Sequence, residues 1–191
     1  MKKIFVLMAA TVLSISVFAQ KTLVSDPAHS RIEFNVTHLG INEITGSFDK
    51  SSLIIKTDDK NFVKSLFTFN VDINSIDTDV EARDNHLKSA DFFEVEKYPS
   101  MDFVSTSIAK TKVKNTYVLK GDLTMHGITK PVTLTLVYKG STVNPMSKAN
   151  TYAYQVRGEI KRSDFGVGGK FPITMISDIV KIKGDFELTE K

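Results

Sequence analysis

The chain has 191 residues, 25 of them basic and 22 acidic, and its formal net charge at neutral pH is +3. This length suits one domain with a substantial core, and the near balance of charge argues against nucleic acid as a partner. The sequence contains no cysteine, which excludes disulfides, a cysteine nucleophile and lipid attachment at an N-terminal cysteine.

The N-terminal segment has the parts of a secretory signal peptide. Lys2 and Lys3 precede a mainly apolar stretch over 4–17, and Ala19 ends a short segment of the kind that signal peptidase reads. We therefore expect residues 1–19 to be removed and one domain to span residues 20–191. The mature protein is expected in the periplasm or the medium, without integral membrane insertion, because an apolar stretch of this length is too short to span a bilayer.

Most of the mature chain alternates between apolar and polar residues. The clearest stretches are 32–37, 67–73, 117–125, 132–138, 152–160 and 180–188, and shorter strands are predicted near 44–48, 52–56 and 101–108. A period of two places apolar side chains on one face of a strand and polar ones on the other, as in antiparallel sheets. An outer-membrane barrel is excluded because the outward face of these strands is charged.

This many strands must bury one face and avoid free edges. A closed barrel of eight antiparallel strands does both, and its interior either fills with side chains or holds one small ligand. We therefore predict an all-β, eight-stranded antiparallel barrel. A two-sheet sandwich stays open as an alternative, because periodicity does not reveal whether a sheet closes.

The alternation stops between residues 75 and 98, where a short helical insertion is predicted. Thr78 and Glu81 have the spacing of a capping box. Asp77 or Thr78 would cap a helix that runs to about Lys88.

Few residues are suited to catalysis. The histidines at positions 29, 38, 86 and 126 lack the short spacing of two metal ligands, and the glycine-rich run 166–169 lacks the spacing of a phosphate loop. No G-x-S-x-G sequence is present. We predict no catalytic residue, no metal site and no cofactor, and hence a binding protein rather than an enzyme. His126, which precedes Gly127, is expected to form a hairpin turn.

Inward-facing side chains of the predicted strands converge on one interior. Those expected to contact a ligand are Phe34, Val36, His38, Phe67, Phe69, Phe103, Leu119, Leu134, Leu136 and Tyr154. Side chains this large either fill a barrel or line a tunnel. His38 would hydrogen-bond the polar head of a ligand or a backbone carbonyl. Arg83 and His86, on the insertion, form either a solvated helix surface or a cationic site for an anionic head group.

Several motifs follow one another along the mature chain. They are 26–30, 32–40 and Gly46-Ser47-Phe48, then 83–93 with Tyr98-Pro99, and last 121–132. In this order and spacing the chain resembles the YceI family of exported polyisoprenoid-binding proteins over its whole mature length. The resemblance implies a lipocalin-like barrel with a lipid in a long internal tunnel. It also implies isoprenoid quinones, polyprenyl phosphates or fatty amides as ligands, and a homodimer as one form of assembly.

These observations leave three hypotheses. The first is a protein that binds a long apolar lipid in an internal tunnel, as carrier, store or sensor. The alternative is an enzyme that acts on an isoprenoid lipid in the same pocket, and the third is a barrel with a filled interior. The lack of a catalytic pair in the sequence favours the first.

Overall fold

The computed structural model describes residues 20–57 and 61–191, and the predicted signal peptide lies outside the described residues. The strands are β1 (Lys21–His38), β2 (Asn42–Phe48), β3 (Ser51–Thr57), β4 (Leu66–Asp72), β5 (Ile76–Asp77), β6 (Ser100–Lys110), β7 (Thr116–Met125), β8 (Ile128–Val143), β9 (Asn150–Lys161) and β10 (Ile179–Glu190). One helix, α1, spans Glu81–Lys88. Short 3-10 turns occur at Phe62–Lys64, Ile73–Ser75 and Arg162–Phe165.

These strands form one closed barrel with eight strand positions. Two positions hold broken strands, since β2 continues into β3 and β4 into β5, and β1 therefore pairs with β3 over 21–24 and with β2 over 32–38. All neighbours are antiparallel, and β10 pairs with β1 to close the barrel, with Phe34 opposite Ile182. The predicted eight-stranded barrel is confirmed, and the sandwich is excluded.

The two strand breaks lie side by side and satisfy each other's backbone groups. The amide of Asp49 donates to the carbonyl oxygen of Ser75 at 3.0 Å, and that of Lys50 to Ser75 Oγ at 2.9 Å. The amide of Asp72 donates to the carbonyl oxygen of Lys50 at 2.9 Å. Because unpaired main-chain groups cost free energy, these bonds reduce the energetic cost of the two breaks.

The helix lies where the sequence predicts one and ends at Lys88, but the predicted capping box is wrong. The N-cap residue is Val80, and no side chain caps the helix. The hydroxyl and the amide of Thr78 both donate to Oδ1 of Asp84, at 2.5 and 3.0 Å. The carboxylate of Asp77 accepts from the amide of Asp79 at 2.8 Å. The buried Asp84 thus holds Thr78 in a local network away from the helix terminus.

The barrel has two different ends, defined here by the loops that meet at each. The upper end carries the β1–β2 hairpin, α1, the β7–β8 turn and the loop between β9 and β10. The lower end carries the β6–β7 and β8–β9 hairpins and the turn Phe62–Lys64. His126 adopts the left-handed conformation, with a φ of 52°, and so forms the predicted hairpin turn with Gly127.

Side chains fill the lower half of the barrel. Its fully buried residues are Leu53, Ile55, Phe67, Leu119, Leu136 and Leu188. Phe62 packs across this end, with ring centroids 4.8 Å from Tyr117 and 6.0 Å from Tyr154. Close packing of this kind supplies the hydrophobic stabilisation of a chain that has no disulfide.

Replacing Leu119 by Ala should lower the free energy of unfolding by about 2–5 kcal/mol, because the truncation leaves a cavity in a close-packed core. Urea unfolding followed by circular dichroism measures the change. Leu66→Ala is the matched control, since Leu66 lies on β4 with 38% of its surface exposed. That variant should change the stability by about 0.5 kcal/mol or less. Equal losses in the two variants would contradict a filled lower half.

Candidate functional site

The upper half of the barrel encloses a cavity of about 370 Å³. One wall consists of Ile32, Phe34, Val36 and His38 of β1, and β2, β9 and β10 contribute further inward side chains. α1 and the loop between β9 and β10 cover the top. Of the 22 lining residues, 17 are apolar; the polar ones are His38, Thr78, Arg83, His86 and Arg162. The site is therefore suited to a largely apolar ligand with a small polar part.

A second apolar volume of about 90 Å³ continues from this cavity toward the middle of the barrel. Ile32, Met101, Ile160 and Ile182 line both volumes and form the boundary between them. One of these four is a methionine, whose unbranched side chain adapts its shape easily. An extended ligand that occupied both volumes would have to pass between these four side chains.

Glycines on neighbouring strands explain why large side chains leave this half open. Phe34 lies opposite Gly46, and a Cβ at Gly46 would be 2.4 Å from Cζ of Phe34. A Cβ at Gly121 would likewise be 2.4 Å from Cζ of Phe103. Each ring therefore packs directly against the backbone at a glycine, where any side chain would clash with it, and so stays close to the barrel wall. Any larger residue at these glycines would push the ring into the cavity.

Two segments join above the cavity, and we call their junction the cover: residues 81–98 of the insertion and residues 166–178 of the β9–β10 loop. The rings of Phe92 and Phe171 stack, with centroids 4.8 Å apart and an interplanar angle of 11°. Nζ of Lys170 donates to Oδ1 of Asp91 at 2.5 Å, and Nε2 of His86 lies 3.3 Å from Oδ2 of Asp91. The cover thus combines an aromatic contact with a charged hydrogen bond.

The pKa of Asp91 is lowered below its ordinary value, first by the hydrogen bond from Lys170 and second by that from His86. A lowered pKa in the folded protein means that the contribution of this pair to stability is present at neutral pH. That contribution is lost as the pH falls through the folded-state pKa of Asp91, below 3.8. The contribution is small, because the pair is exposed to solvent.

Arg162 fixes the shape of the β9–β10 loop. Its side chain is buried, and all five of its N–H groups donate to main-chain carbonyl oxygens at 2.7 to 3.2 Å. The acceptors are Val167, Gly168, Phe171, Ile176 and Ser177. Burial of an unpaired guanidinium would be costly, so the carbonyl dipoles that surround it are essential to this arrangement.

Three polar side chains at the mouth of the cavity keep hydrogen-bonding capacity. Arg83 donates from Nε and Nη2 to Thr78, at 2.7 and 2.6 Å, and its Nη1 has no acceptor within residues 20–57 and 61–191. The ring of His38 is exposed and also lacks a hydrogen-bond partner in the described chain. His86 uses only Nε2, toward Asp91. Arg162 differs from these, because its donors are all occupied.

The structure divides the sequence-predicted site residues into three groups. Phe34, Val36, His38, Arg83 and His86 line the large cavity. Phe69, Phe103 and Leu134 line the small volume. The remaining four lie in the filled lower half and line neither: Phe67, Leu119, Leu136 and Tyr154. They face inward as predicted, but they lie too low in the barrel to reach the open part.

Sequence reasoning missed the contribution of the β9–β10 loop. Arg162, Val167, Phe171 and Ile176 all line the cavity from this loop. The stretch shows no alternation, and its glycines at 166, 168 and 169 predict only a flexible turn between strands. The sequence feature that could have indicated this role is the composition of the loop, because a loop with this many apolar residues is expected to pack against an apolar surface.

The described residues contain no group of three or more histidine and acidic side chains arranged to hold a metal ion. None of the helices that they form is long and apolar enough to cross a membrane.

Fold and cavity together define a small closed antiparallel barrel that encloses an apolar site at one end, beneath a helical cover. Residues 23–188 match the family model of the YceI-like domain, and the chain belongs to that family.

Relatives of this chain include a UPF0312 protein of Staphylococcus aureus. It is 37% identical over 142 residues, which cover 74% of this chain and 80% of the relative. Among solved structures, BcnA of Burkholderia cenocepacia is 25% identical with a TM-score of 0.77, over 85% of this chain and 98% of its own. A YceI protein of Campylobacter jejuni is 29% identical with a TM-score of 0.72, over 81% and 90%.

A polyisoprenoid-binding domain from Saccharophagus degradans has the same fold. Its TM-score is 0.68 at 15% identity, and the match covers 91% of this chain and all of that one.

Arg162→Lys should disorder the β9–β10 loop and lower the free energy of unfolding by about 2–4 kcal/mol, because an ammonium group satisfies at most three of the five carbonyl oxygens. Amide hydrogen exchange over residues 163–179 and urea unfolding measure the two effects. Arg157→Lys is the control, since Arg157 lies on β9, just before the loop, and is exposed. Unchanged exchange rates in Arg162→Lys would show that the loop does not depend on these bonds.

Proposed function

We propose that this protein binds one long-chain apolar lipid in the barrel, with the chain in the two apolar volumes and the polar head at the upper mouth. The observation that carries the proposal is the cavity itself, with 17 apolar residues among 22 and a second apolar volume beyond it. The lipid would be an isoprenoid quinone, a polyprenyl phosphate or a fatty amide. The Saccharophagus degradans domain, described as polyisoprenoid-binding, makes an isoprenoid the first candidate.

Burial of the chain would supply most of the affinity. Each methylene group removed from water contributes about 0.8 kcal/mol, so a few isoprene units suffice for tight binding. The two open volumes lie in the upper half and toward the middle of the barrel, and Phe67, Leu119 and Leu136 are buried in the lower half. The proposed ligand segment is therefore shorter than a tunnel through the whole barrel would hold.

Polar contacts at the mouth would set the orientation of the lipid. His38, Arg83 and His86 all line the large cavity and keep donor capacity there. One or two hydrogen bonds from this group to a carbonyl, amide or phosphate oxygen would hold the head at the surface. These contacts add direction rather than most of the binding free energy.

Binding without turnover is part of the proposal. Of the polar groups that line the cavity, Arg162 donates to main-chain carbonyl oxygens, and the hydroxyl of Thr78 is held between the carboxylate of Asp84 and the guanidinium of Arg83, which leaves that hydroxyl unavailable as a nucleophile. The role would be that of a carrier, store or sensor. We place it in the periplasm or the medium, as a monomer or homodimer, from the signal-like sequence of residues 1–19 and the family resemblance.

Mass spectrometry of a solvent extract of the purified protein tests the proposal directly. We expect one class of long-chain lipid at close to one molecule per chain, because the two apolar volumes are adjacent and together suit one extended chain. Incubation of the loaded protein should leave the mass of the lipid unchanged. An extract without lipid, from protein that also fails to take up an isoprenoid quinone or a polyprenyl phosphate, would contradict the proposal.

A large side chain that fills the cavity should lower the lipid content more than the loss of one hydrogen bond to the polar head of the lipid. Val36→Trp places a large ring in the main volume, and we expect its lipid content to fall at least about tenfold, since the ligand loses several methylene contacts. His38→Ala should reduce the lipid content only about twofold to tenfold, the equivalent of one hydrogen bond. Lipid per protein is measured by quantitative mass spectrometry of extracts.

Val104→Trp is the matched control, because Val104 lies on β6 with 45% of its surface exposed. Thermal unfolding confirms that each variant is folded. If His38→Ala abolished binding while a folded Val36→Trp kept it, recognition of the head would carry the affinity, and the apolar account would be wrong.

A further inference from the structure

Among the exposed large apolar side chains of the upper end, four belong to the β1–β2 hairpin and the β9–β10 loop, and we call these four the mouth patch. They are Ile41, 88% exposed, Ile173, 68%, Leu39, 54%, and Met175, 39%. Two come from the β1–β2 hairpin and two from the β9–β10 loop. We propose that the mouth patch docks on the surface of a lipid bilayer and that the ligand passes between bilayer and cavity across it. This inference rests on the proposed function.

Backbone hydrogen bonds join the β1–β2 hairpin to the β9–β10 loop, so the exposed side chains of the two segments form one surface. The amide of Leu39 donates to the carbonyl oxygen of Met175 at 2.8 Å. The amide of Ser177 donates to the carbonyl oxygen of Thr37 at 2.9 Å, and the amide of Thr37 donates to Ser177 Oγ at 2.9 Å. Arg162 holds the loop from below through the carbonyls of Phe171 and Ile176. The four apolar side chains therefore sit on a fixed platform.

The mouth patch is continuous with the interior of the barrel. Met175 belongs to the patch and also lines the large cavity, as do its neighbours His38 and Ile176. An apolar molecule that enters here passes from one apolar surface to another. Its transfer from a bilayer then avoids exposure of the whole chain to water, which would cost about 0.8 kcal/mol for each methylene.

The charges near the patch indicate which membrane it fits. No charged residue lies within 39–42 or 171–177. Lys170, which precedes the second segment, is paired with Asp91 at 2.5 Å, and Lys181 of β10 is paired with Glu43, which follows the first segment, at 2.8 Å. Docking would therefore depend on insertion of apolar side chains and not on anionic lipids, so a zwitterionic bilayer is sufficient.

A second copy of the chain fits this surface less well. A stable protein interface buries about 800 Å² per partner and involves roughly 20–30 residues on each side. The mouth patch offers four side chains around an open cavity, which suits shallow insertion into a lipid headgroup region.

Flotation with phosphatidylcholine vesicles tests the inference. We expect the full chain to float with the vesicles, with little dependence on salt. The double variant Ile41→Ser/Ile173→Ser should bind about tenfold or more weakly, because two inserted side chains are lost. The control is Val113→Ser/Met146→Ser, which removes side chains of similar exposure, 65% and 91%, from the hairpins of the lower end. That variant should float like the unmodified protein.

Lipid content, measured in parallel by mass spectrometry of extracts, separates this inference from the proposed function. Protein that contains lipid but does not float, or that floats equally well after Ile41→Ser/Ile173→Ser, overturns docking and leaves lipid binding intact. Flotation that depends on Ile41 and Ile173, in protein that never contains lipid, supports docking and removes the proposed function. If the unmodified protein is a dimer that does not bind vesicles, and Ile41→Ser/Ile173→Ser is a monomer in sedimentation velocity, a second copy covers the patch and docking is overturned.

Discussion

The pairing of β1 is the interaction on which the rest of the structure depends. This strand bonds to β10 on one side and, on the other, to β3 in its lower part and β2 in its upper part. Leu23, near its start, belongs to the filled half, whereas Phe34 and Val36, near its end, line the cavity. One strand therefore closes the barrel, anchors the packed core and forms a wall of the site.

The two halves of the barrel have different physical tasks. The lower half is close-packed and carries the hydrophobic stabilisation that a chain without disulfides requires. The upper half keeps apolar surface out of contact with other side chains, which forfeits dispersion energy there. Glycines beneath Phe34 and Phe103 maintain this open volume, because they let the rings lie against the wall. A bound apolar chain would restore the missing contacts.

Above the cavity, two charged side chains hold the β9–β10 loop in place while their charges are paired within the protein. The guanidinium of Arg162 is enclosed by five carbonyl oxygens, and Lys170 is paired with Asp91. Both of these cations are paired, and the exposed surface beside the entrance includes Ile41 and Ile173, while Arg83 and His86 remain at the mouth itself. The proposed lipid site and the proposed docking surface follow from this single arrangement of the β9–β10 loop against the β1–β2 hairpin.

Alternation in the sequence determined the all-β class, the strand positions and the face of each strand, because side chains on a strand alternate strictly. It also placed the helical insertion, and the motif resemblance indicated the family. Alternation does not show where a residue lies along the barrel axis. Leu119 and Phe103 both occupy inward positions, yet of these two only Phe103 lines an open volume. Position along the axis depends on the register between strands, and the open space depends on glycines opposite large side chains. Both are properties of pairs of strands and not of one strand's sequence.

Thr78 and Arg162 were beyond sequence reasoning for a related cause. The spacing of Thr78 and Glu81 fits a cap, but the buried carboxylate of Asp84 binds Thr78 more directly once the segment folds over the barrel. Arg162 reads as an ordinary polar residue after a strand, and only the folded loop brings five carbonyl oxygens around it. The sequence by itself determined which residues face inward, and the tertiary structure decided which of them meet a ligand-sized space, because that space exists only between segments that the fold brings together.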